Sequence, residues 1–481
     1  MAQTTSHALL MDAAQRAVRY LQGVDERPIA PSDEAVARLR LLDRPLPEQP
    51  QPDDQVLRML DELGSPATSA SAGGRYFGYV QGGALPVAVA ANWLATAWDQ
   101  NAASATPAPG VAAFEQVALA WLLDLLGLPR DGAGAFVTGA SQANFCGLAA
   151  ARHAVLARAG WDVEADGLFG APPVTVVISD EAHAAVFKAL GLLGLGRRRV
   201  VRVPTDAQGR VRLDHWPRMQ GPTIVCVQAG HVNTGAFDPI GPVCERAREA
   251  GAWVHVDGAF GLWARAAPGL RRWCEGLDQA DSWATDAHKW LNVPYDSGLA
   301  FVRDAQALRA AMAVTAPYLP PALARGGRSP ADFTPELSRR ARGVDVWAAL
   351  SALGRRGVAE LVERCCAHAR RFAHGVAAAG GTVHNDVVLN QVLVSFTDAA
   401  TTRRFIDALQ ADGTCWCGET EWQGRTAMRI SVSSWATTDA DVERSLAVMR
   451  RLAEDGASAG PDPDPDPSLT DPVHLVGETH E

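Results

Sequence analysis

The sequence predicts an α/β fold in which helices cover both faces of a mostly parallel sheet. First, between residues 74 and 303, short apolar runs rich in β-branched residues alternate with helical stretches, a pattern typical of buried parallel strands. Second, polar residues follow the carboxyl ends of these runs, where open α/β sheets bind their ligands. The predicted strands are 134–138, 174–179, 200–203, 223–228, 253–257 and 298–302.

The segments around this sheet predict further structural units, since helical periodicity and proline-rich breaks mark their limits. Further helices are predicted at 7–22, 32–41, 54–63, 345–371 and 439–452, and further strands at 388–396 and 428–433. The predicted units are a helical N-terminal arm over 1–73, a large α/β domain over 74–340, a small α+β domain over 341–456 and a disordered Pro/Asp tail over 457–481.

The composition is that of a large globular protein and argues against several functional classes. With 481 residues, 47% of them hydrophobic, the chain can bury more than one core. A net charge of -10 without a dense basic stripe argues against binding to nucleic acid. No apolar stretch is long enough to span a bilayer and no signal segment is evident, so we expect a cytoplasmic location. The eight cysteines are scattered, which favours free thiols, and no metal site is expected.

Lysine is almost absent from the chain, which draws attention to the two that occur, Lys188 and Lys289. Arginine can serve wherever a positive charge suffices, so a surviving lysine is a candidate for chemistry that needs an amine. Codon bias alone would also leave a few lysines. Lys188 lies on an amphipathic helix, and we expect it to be a surface or phosphate-neighbouring cation. Lys289 lies among apolar residues just before a predicted strand, where a desolvated amine can attack an aldehyde.

Three polar groups at predicted strand ends form a candidate cofactor site with Lys289. Asp257 closes its strand, where a carboxylate can pair with a protonated pyridine nitrogen. His183 lies in the first turn of a helix whose expected N-cap is Asp180, and its ring could stack on a flat cofactor. The turn before Ser141 offers backbone N–H groups to a phosphate at a helix N-terminus.

Together these motifs resemble the group II pyridoxal-phosphate-dependent decarboxylases, the family of aromatic amino acid, glutamate and histidine decarboxylases. The family's His-Lys-Trp or His-Lys-Met segment is matched at 288–290 and its Ser-Asp-x-Ala-His segment at 179–183. Its His-Val-Asp-Ala-Ala/Gly segment is matched by His-Val-Asp-Gly-Ala at 255–259. The resemblance extends over roughly residues 50 to 455 and includes 75–80, 233–240 and 428–431.

The resemblance implies a fold type I enzyme with a seven-stranded central sheet, pyridoxal 5'-phosphate as cofactor, and a homodimer with active sites at its interface. Lys289 would form a Schiff base with the cofactor, Asp257 would hold the ring nitrogen and His183 would stack on the ring. The other implied positions are Ala259 on the opposite face of the ring, Ala140, Ser141 and His288 at the phosphate, Asn233 also at the cofactor, Arg429 at the substrate carboxylate, and Phe77 and Tyr79 on the pocket wall.

The implied activity is decarboxylation of an L-amino acid, and Phe77 and Tyr79 favour an aromatic or apolar substrate. Family members commonly protonate Cα from a tyrosine on a mobile loop. The corresponding loop, 319–336, contains no tyrosine, and Phe333 falls at or near that position. Some plant relatives with Phe there are aldehyde synthases, so that reaction stays open, as does other chemistry at Cα or Cβ. Tyr318, a histidine or water could also supply the proton.

One departure and two rival interpretations remain at the sequence level. Many relatives have Asn where this chain has Asp286, and a carboxylate there would oppose the phosphate unless it points away. The order Ser141, Asp257, His288 approximates a serine hydrolase of the α/β-hydrolase type, although that interpretation gives Lys289 no role. A non-enzymatic scaffold of the same fold is the second rival.

Overall fold

A seven-stranded sheet forms the centre of the protein, which is described by a computed structural model over residues 2–314 and 328–458. Its strands are β1 Ala133–Val137, β2 Thr175–Ser179, β3 Val201–Val203, β4 Thr223–Gln228, β5 Trp253–Asp257, β6 Ser282–Asp286 and β7 Gly298–Val302. Their spatial order is β1-β7-β6-β5-β4-β2-β3. Strand β7 runs antiparallel to β1 and β6, whereas the other neighbouring strands are parallel. The predicted mostly parallel seven-stranded sheet is thus confirmed.

Strand β6 is the strand of this sheet that the apolar-run pattern missed. Its residues, Ser-Trp-Ala-Thr-Asp, mix polar and apolar side chains, yet all of them are buried because β6 lies between β5 and β7. The six predicted strands agree with the other six to within one residue at each end. Because β6 is parallel to β5, it brings its carboxyl end to the same edge of the sheet.

Helices cover both faces of the sheet and form the segment that precedes it. They are α1 Ala2–Gln22, α2 Asp33–Arg38, α3 Asp53–Gly64, α4 Pro86–Trp98, α5 Pro109–Leu125, α6 Ala140–Arg158, α7 Val163–Asp166, α8 Ala184–Leu192, α9 Ile240–Glu249, α10 Ala287–Trp290, α11 Ala305–Met312, α12 Arg342–Ala378, α13 Ala399–Asp412 and α14 Asp439–Ser458. Along β4, Val225 and Val227 join the apolar cluster on one face, and Ile224 and Cys226 join the cluster on the other. This alternation is what burial of both faces requires. Among the described helices, none has the length and hydropathy to cross a membrane.

A smaller antiparallel sheet follows, with strands β8 Thr382–Val383, β9 Gln391–Ser395, β10 Gly418–Trp422 and β11 Arg425–Ser431 in the order β10-β11-β9-β8. Strands β9 and β11 correspond to the two predicted strands. The short β8 and the polar β10 were missed because neither forms an apolar run. Helix α14 continues to Ser458, and the rest of the predicted tail, 459–481, lies outside the described residues.

The segment that follows the N-terminal arm is hydrogen-bonded to the smaller sheet. The Phe77 N–H donates to the Trp416 carbonyl at 2.8 Å, and the Ser431 N–H donates to the Phe77 carbonyl at 2.9 Å. The Arg75 guanidinium is buried and donates to the Thr414 carbonyl. These contacts fix residues 75–77 between two chain segments that are more than three hundred residues away in sequence.

Candidate active site

The candidate site lies at the carboxyl ends of β5 and β6, where Asp257 and Asp286 are the last strand residues. Helix α10 begins directly after β6 and carries His288 and Lys289. Helix α6 begins beside them, because the Ala140 N–H donates to the Asp286 carboxylate. Parallel strands therefore bring together side chains that the sequence separates, as their order along the sheet predicts.

Lys289 forms an ion pair with Asp286, with Nζ 3.0 Å from Oδ2. The other oxygen of Asp286 accepts the Ala140 N–H at 2.6 Å and lies 3.5 Å from His288 Nε2. Its side chain is 3% exposed. The carboxylate that departs from the family pattern therefore points into the group of residues expected to bind phosphate, rather than away from it.

The His288 ring is held in place by a hydrogen bond from a nearby backbone N–H. Its Nδ1 accepts the Ser297 N–H at 3.1 Å, so in the neutral ring Nε2 carries the proton. Burial lowers the pKa of His288, although the carboxylate of Asp286 partly opposes the shift. The ring of Tyr295 lies 4.2 Å from that of His288, centroid to centroid, and burial raises the pKa of Tyr295 to about 12.

The turn into α6 requires glycine at residue 298, which touches the backbone of Gly139. A Cβ on Gly298, at the start of β7, would lie 2.4 Å from the Cα of Gly139, which precedes α6. This close approach brings the first residues of α6 against the sheet. Ser141 is exposed on the first turn of α6, and Ala140 is buried. The backbone N–H groups at this helix start are suited to an anion.

Asp257 is a buried carboxylate whose two oxygens are each hydrogen-bonded. Oδ1 accepts the Ala259 N–H at 3.1 Å, and Oδ2 accepts from the Asn144 amide at 3.2 Å. Within residues 2–314 and 328–458, no Lys, Arg or His side chain forms an ion pair with it. A buried carboxylate with neutral donors alone fits a cation supplied by a bound group, such as the protonated ring nitrogen of the expected cofactor.

His183 is the N-cap of α8, which corrects the expectation that Asp180 caps this helix. Its backbone is extended (φ -62°, ψ 143°), and its Nδ1 accepts the Ala185 N–H at 3.2 Å. The helix therefore begins at Ala184, directly after His183, because the His183 imidazole caps it in place of the Asp180 carboxylate. Partial desolvation lowers the pKa of His183, and the carboxylate of Asp257 opposes this shift. The neutral ring thus carries its proton on Nε2.

Arg429 and Asn233 lie together on the side of the small sheet. The Arg429 guanidinium donates to the Asn233 amide oxygen and to the Val232 carbonyl, both at 3.4 Å. That amide oxygen also accepts from the Thr420 hydroxyl at 3.0 Å. Burial lowers the pKa of Arg429, but a guanidinium stays charged. Asn233 therefore contacts the residue expected to bind substrate, rather than the residues around Ala140.

The two residues expected on the pocket wall have different surroundings. Phe77 is fully buried and packs edge-on against Phe372, with ring centroids 4.8 Å apart. It belongs to the core, so its expected place on the wall is corrected. The backbone turns at Tyr79, which has a positive φ of 51°, and the Tyr79 side chain is 61% exposed. The Tyr79 ring stacks on Trp416 at 5.5 Å, and Trp416 stacks on Tyr76 at 5.1 Å.

Phe333 has its described contacts with residues other than the predicted site residues. It ends a short 3-10 helix, Pro330–Phe333, and its ring packs under the Arg328 guanidinium at 4.2 Å from the centroid. The ring joins the apolar cluster that contains Met312. In this structure Phe333 therefore has packing contacts, and its expected place in the substrate site stays a prediction. Tyr318 and residues 319–327 of the expected loop lie outside the described residues.

The serine hydrolase interpretation finds no triad in this geometry. Asp257 is bonded to Asn144 and a backbone N–H, and not to His288. His288 instead faces Ser297 and Asp286. A hydrolase would need the histidine between its serine and aspartate.

Three residues of the site were not predicted to have a role there: Asn144, Tyr295 and Trp416. Asn144 is fully buried on an otherwise apolar stretch of α6, and this isolated polar residue was a signal that the sequence offered. Trp416 lies between the buried thiols Cys415 and Cys417, and no motif in this segment marks it as a site residue. Nothing in the sequence near Tyr295 indicates its contact with His288.

Comparisons with known proteins agree with this geometry. Residues 36–397 match the family model of the pyridoxal-dependent decarboxylase conserved domain. Tryptophan decarboxylase 1 of Oryza sativa subsp. japonica is 26% identical over 454 residues, which cover 86% of this chain and 87% of that protein. Phenylacetaldehyde synthase of Petunia hybrida is 24% identical over 381 residues, covering 74% and 73% of the two chains.

The fold is also that of solved members. The crystal structure of Oryza sativa TDC with PLP and tryptamine matches 94% of this chain and 98% of that chain, with a TM-score of 0.85 and 23% identity. The family match covers well over half of the sequence and includes Asp257 and Lys289. The chain therefore belongs to the pyridoxal-dependent decarboxylase family, whose cofactor is pyridoxal phosphate, and is a carboxy-lyase.

Proposed function

We propose that this enzyme releases CO2 from an aromatic L-amino acid and forms the corresponding amine. The observation that carries the proposal is the exposed Tyr79 ring, which stacks on Trp416. A substrate ring can stack against such a wall while the guanidinium binds the carboxylate. The aromatic compounds in the names of the rice and petunia relatives support the same substrate class.

Lys289 and Asp257 would hold the cofactor at its two reactive ends. When bound, pyridoxal phosphate supplies an aldehyde that links to an amine and a ring that withdraws electrons from Cα. The Asp286 carboxylate, 3.0 Å from the Lys289 amine, would orient this amine for the link. Asp257, ionised and without a cation of its own, would keep the ring nitrogen protonated.

His183 and Arg429 would orient the substrate and move its protons. Arg429, which is half-buried, would present its positive charge to the substrate carboxylate. His183 keeps its proton on Nε2, because Nδ1 accepts from the chain, so Nε2 can donate to a group above the cofactor ring. Through this N–H, His183 would hold a water molecule or another acid beside Cα, where a proton replaces CO2.

A second candidate reaction is oxidative decarboxylation to an aldehyde. It is favoured by Phe333, which occupies the approximate position of the family's loop tyrosine and has no proton to donate. The name of the petunia relative, a phenylacetaldehyde synthase, supports the same alternative. In this case O2 would accept the electrons, and ammonia and H2O2 would accompany the aldehyde.

We also propose that the enzyme is a homodimer. Large apolar side chains are exposed on the arm and on α4, among them Leu10 (68%), Leu60 (66%) and Trp93 (44%). Such surfaces generally mark an interface. Sedimentation equilibrium of the full chain should give twice its mass of 51.0 kDa, and a species of 51.0 kDa at micromolar concentration would contradict the proposal.

A panel of the proteinogenic amino acids should identify the reaction. We expect CO2 and amine in equal amounts from one or more of tryptophan, tyrosine and phenylalanine, with no product from glutamate or aspartate. Assays for CO2, amine, aldehyde, ammonia and H2O2 should be run in parallel. Aldehyde with ammonia and H2O2 would establish the second candidate instead, and activity on acidic amino acids alone would refute the aromatic pocket.

Lys289→Arg should abolish the visible absorbance of the lysine-bound cofactor and all turnover, because a guanidinium cannot form that bond. The matched control is Lys188→Arg, since Lys188 is the one other lysine in the sequence. This variant should keep the absorbance and the activity of the original chain. Absorbance in the first variant equal to that of the second would show that Lys289 is not the attachment point.

Asp286→Asn should strengthen binding of the phosphate part of the cofactor. The variant keeps an acceptor for the Ala140 N–H but removes a negative charge from the group expected to hold phosphate. We expect pyridoxal phosphate to gain about tenfold in affinity relative to pyridoxal, which lacks the phosphate. Equilibrium dialysis against both compounds measures this ratio. Because loss of the ion pair with Lys289 affects both compounds, an unchanged ratio would show that Asp286 does not oppose the phosphate.

A further inference from the structure

A continuous chain of hydrogen bonds runs behind Asp257, away from the cofactor. Trp253 Nε1 donates to Ser282 Oγ at 2.9 Å, and Ser282 Oγ lies 2.8 Å from His255 Nδ1. His255 Nε2 lies 2.8 Å from Asn144 Oδ1, and Asn144 Nδ2 lies 3.2 Å from Asp257 Oδ2. The first four residues are at most 1% exposed, so the chain is isolated from solvent.

The backbone explains why these side chains meet. Trp253, His255 and Asp257 alternate along β5 and therefore share one face of the sheet. Ser282 is the register partner of His255 on β6. Helix α6 covers this face and contributes Asn144.

Helix α6 also leaves space for the chain through Gly147, one turn after Asn144. A Cβ on Gly147 would lie 2.6 Å from His255 Cε1 and 3.3 Å from Ser282 Cβ. A larger residue at this position would push the imidazole out of the chain. The surroundings of His255 are therefore shaped for these hydrogen bonds rather than filled by apolar packing.

The direction of every hydrogen bond follows from the two ends. An ionised carboxylate can only accept, so the Asn144 amide donates to Asp257 and its oxygen accepts from His255 Nε2–H. Burial lowers the pKa of His255 to about 3, so the ring is neutral and Nδ1 accepts from the Ser282 hydroxyl. The oxygen of that hydroxyl accepts from the Trp253 indole, which can only donate.

We propose that Asn144 and His255 are positioning residues that hold the Asp257 carboxylate, ionised and oriented, for the ring nitrogen of pyridoxal phosphate. Asn144 acts directly on Asp257, and His255 acts by fixing which end of the Asn144 amide faces the carboxylate. Ser282 and Trp253 continue the same sequence of hydrogen-bond donors and acceptors behind His255. The inference concerns the cofactor, so it does not depend on which amino acid is the substrate.

The test compares two cofactors that differ in one ring atom. Dissociation constants are measured for pyridoxal phosphate and for its 1-deaza analogue, in which carbon replaces the ring nitrogen. The original chain should prefer pyridoxal phosphate, and Asp257→Asn should abolish the preference. Asn144→Leu and Asn144→Asp, which both remove the donor, should each lower it about tenfold, as expected for one charge-assisted hydrogen bond.

The analogue controls for folding, because a merely structural defect would weaken both cofactors equally. Its dissociation constant should change less than about threefold in the Asn144 variants, a difference below 1 kcal/mol. Ser282→Ala removes one hydroxyl and should lower the preference in the same direction by a smaller factor. Equal weakening of both cofactors by the Asn144 variants, or an unchanged preference, would overturn the proposal.

The direction of the chain has a separate readout. In the holoenzyme labelled with 15N-histidine, the His255 resonances, assigned by their loss in His255→Gln, should show a proton on Nε2 and none on Nδ1. They should not titrate between pH 6 and 9. A proton on Nδ1, or an imidazolium in this range, would contradict the proposed order of donors.

Discussion

The burial of two carboxylates at neighbouring strand ends is the constraint on which the rest of the active site depends. Asp257 and Asp286 are 6% and 2% exposed, and such groups are stable only when hydrogen bonds or cations replace water. Asp286 has the Lys289 ammonium as its cation. Asp257 has only neutral donors, one of them Asn144, within the described residues. This difference leaves Asp257 for the cofactor ring and makes the protein incomplete, in electrostatic terms, until the cofactor binds.

Much of the fold could be predicted because buried parallel strands form apolar runs that helices separate. The apolar-run pattern did not predict a strand that contains polar residues and is buried because other strands flank it. Strand β6 contains serine, threonine and aspartate, yet it is buried because β5 and β7 flank it. Strand β10, Gly-Glu-Thr-Glu-Trp, has one large apolar residue, so no apolar run marked it as a strand.

The site was predictable where chemistry is tied to a strand end, as for Asp257 and Lys289. It was not predictable where the direction of a side chain decides whether the residue faces the site or the core. Phe77 and Tyr79 are two residues apart and share the same motif, but one ring packs on the core and the other is exposed. Asn144 could not be assigned a role, because its partners come from β5, which is remote in sequence. Such contacts depend on how α6 packs on the sheet, which local periodicity does not specify.

The hydrogen bonds of residues 75–77 have a consequence for the order in which parts of the protein fold during synthesis. Arg75 bonds to Thr414 across 339 residues, and Phe77 is bonded on both sides by residues of the same late region. Closing so long a loop is entropically unfavourable, and only contacts with the C-terminal region offset this loss. During synthesis the large sheet and its two carboxylates can form first. Tyr79 can take its place only when the C-terminal region has left the ribosome, so a nascent chain completes its cofactor site before its substrate pocket.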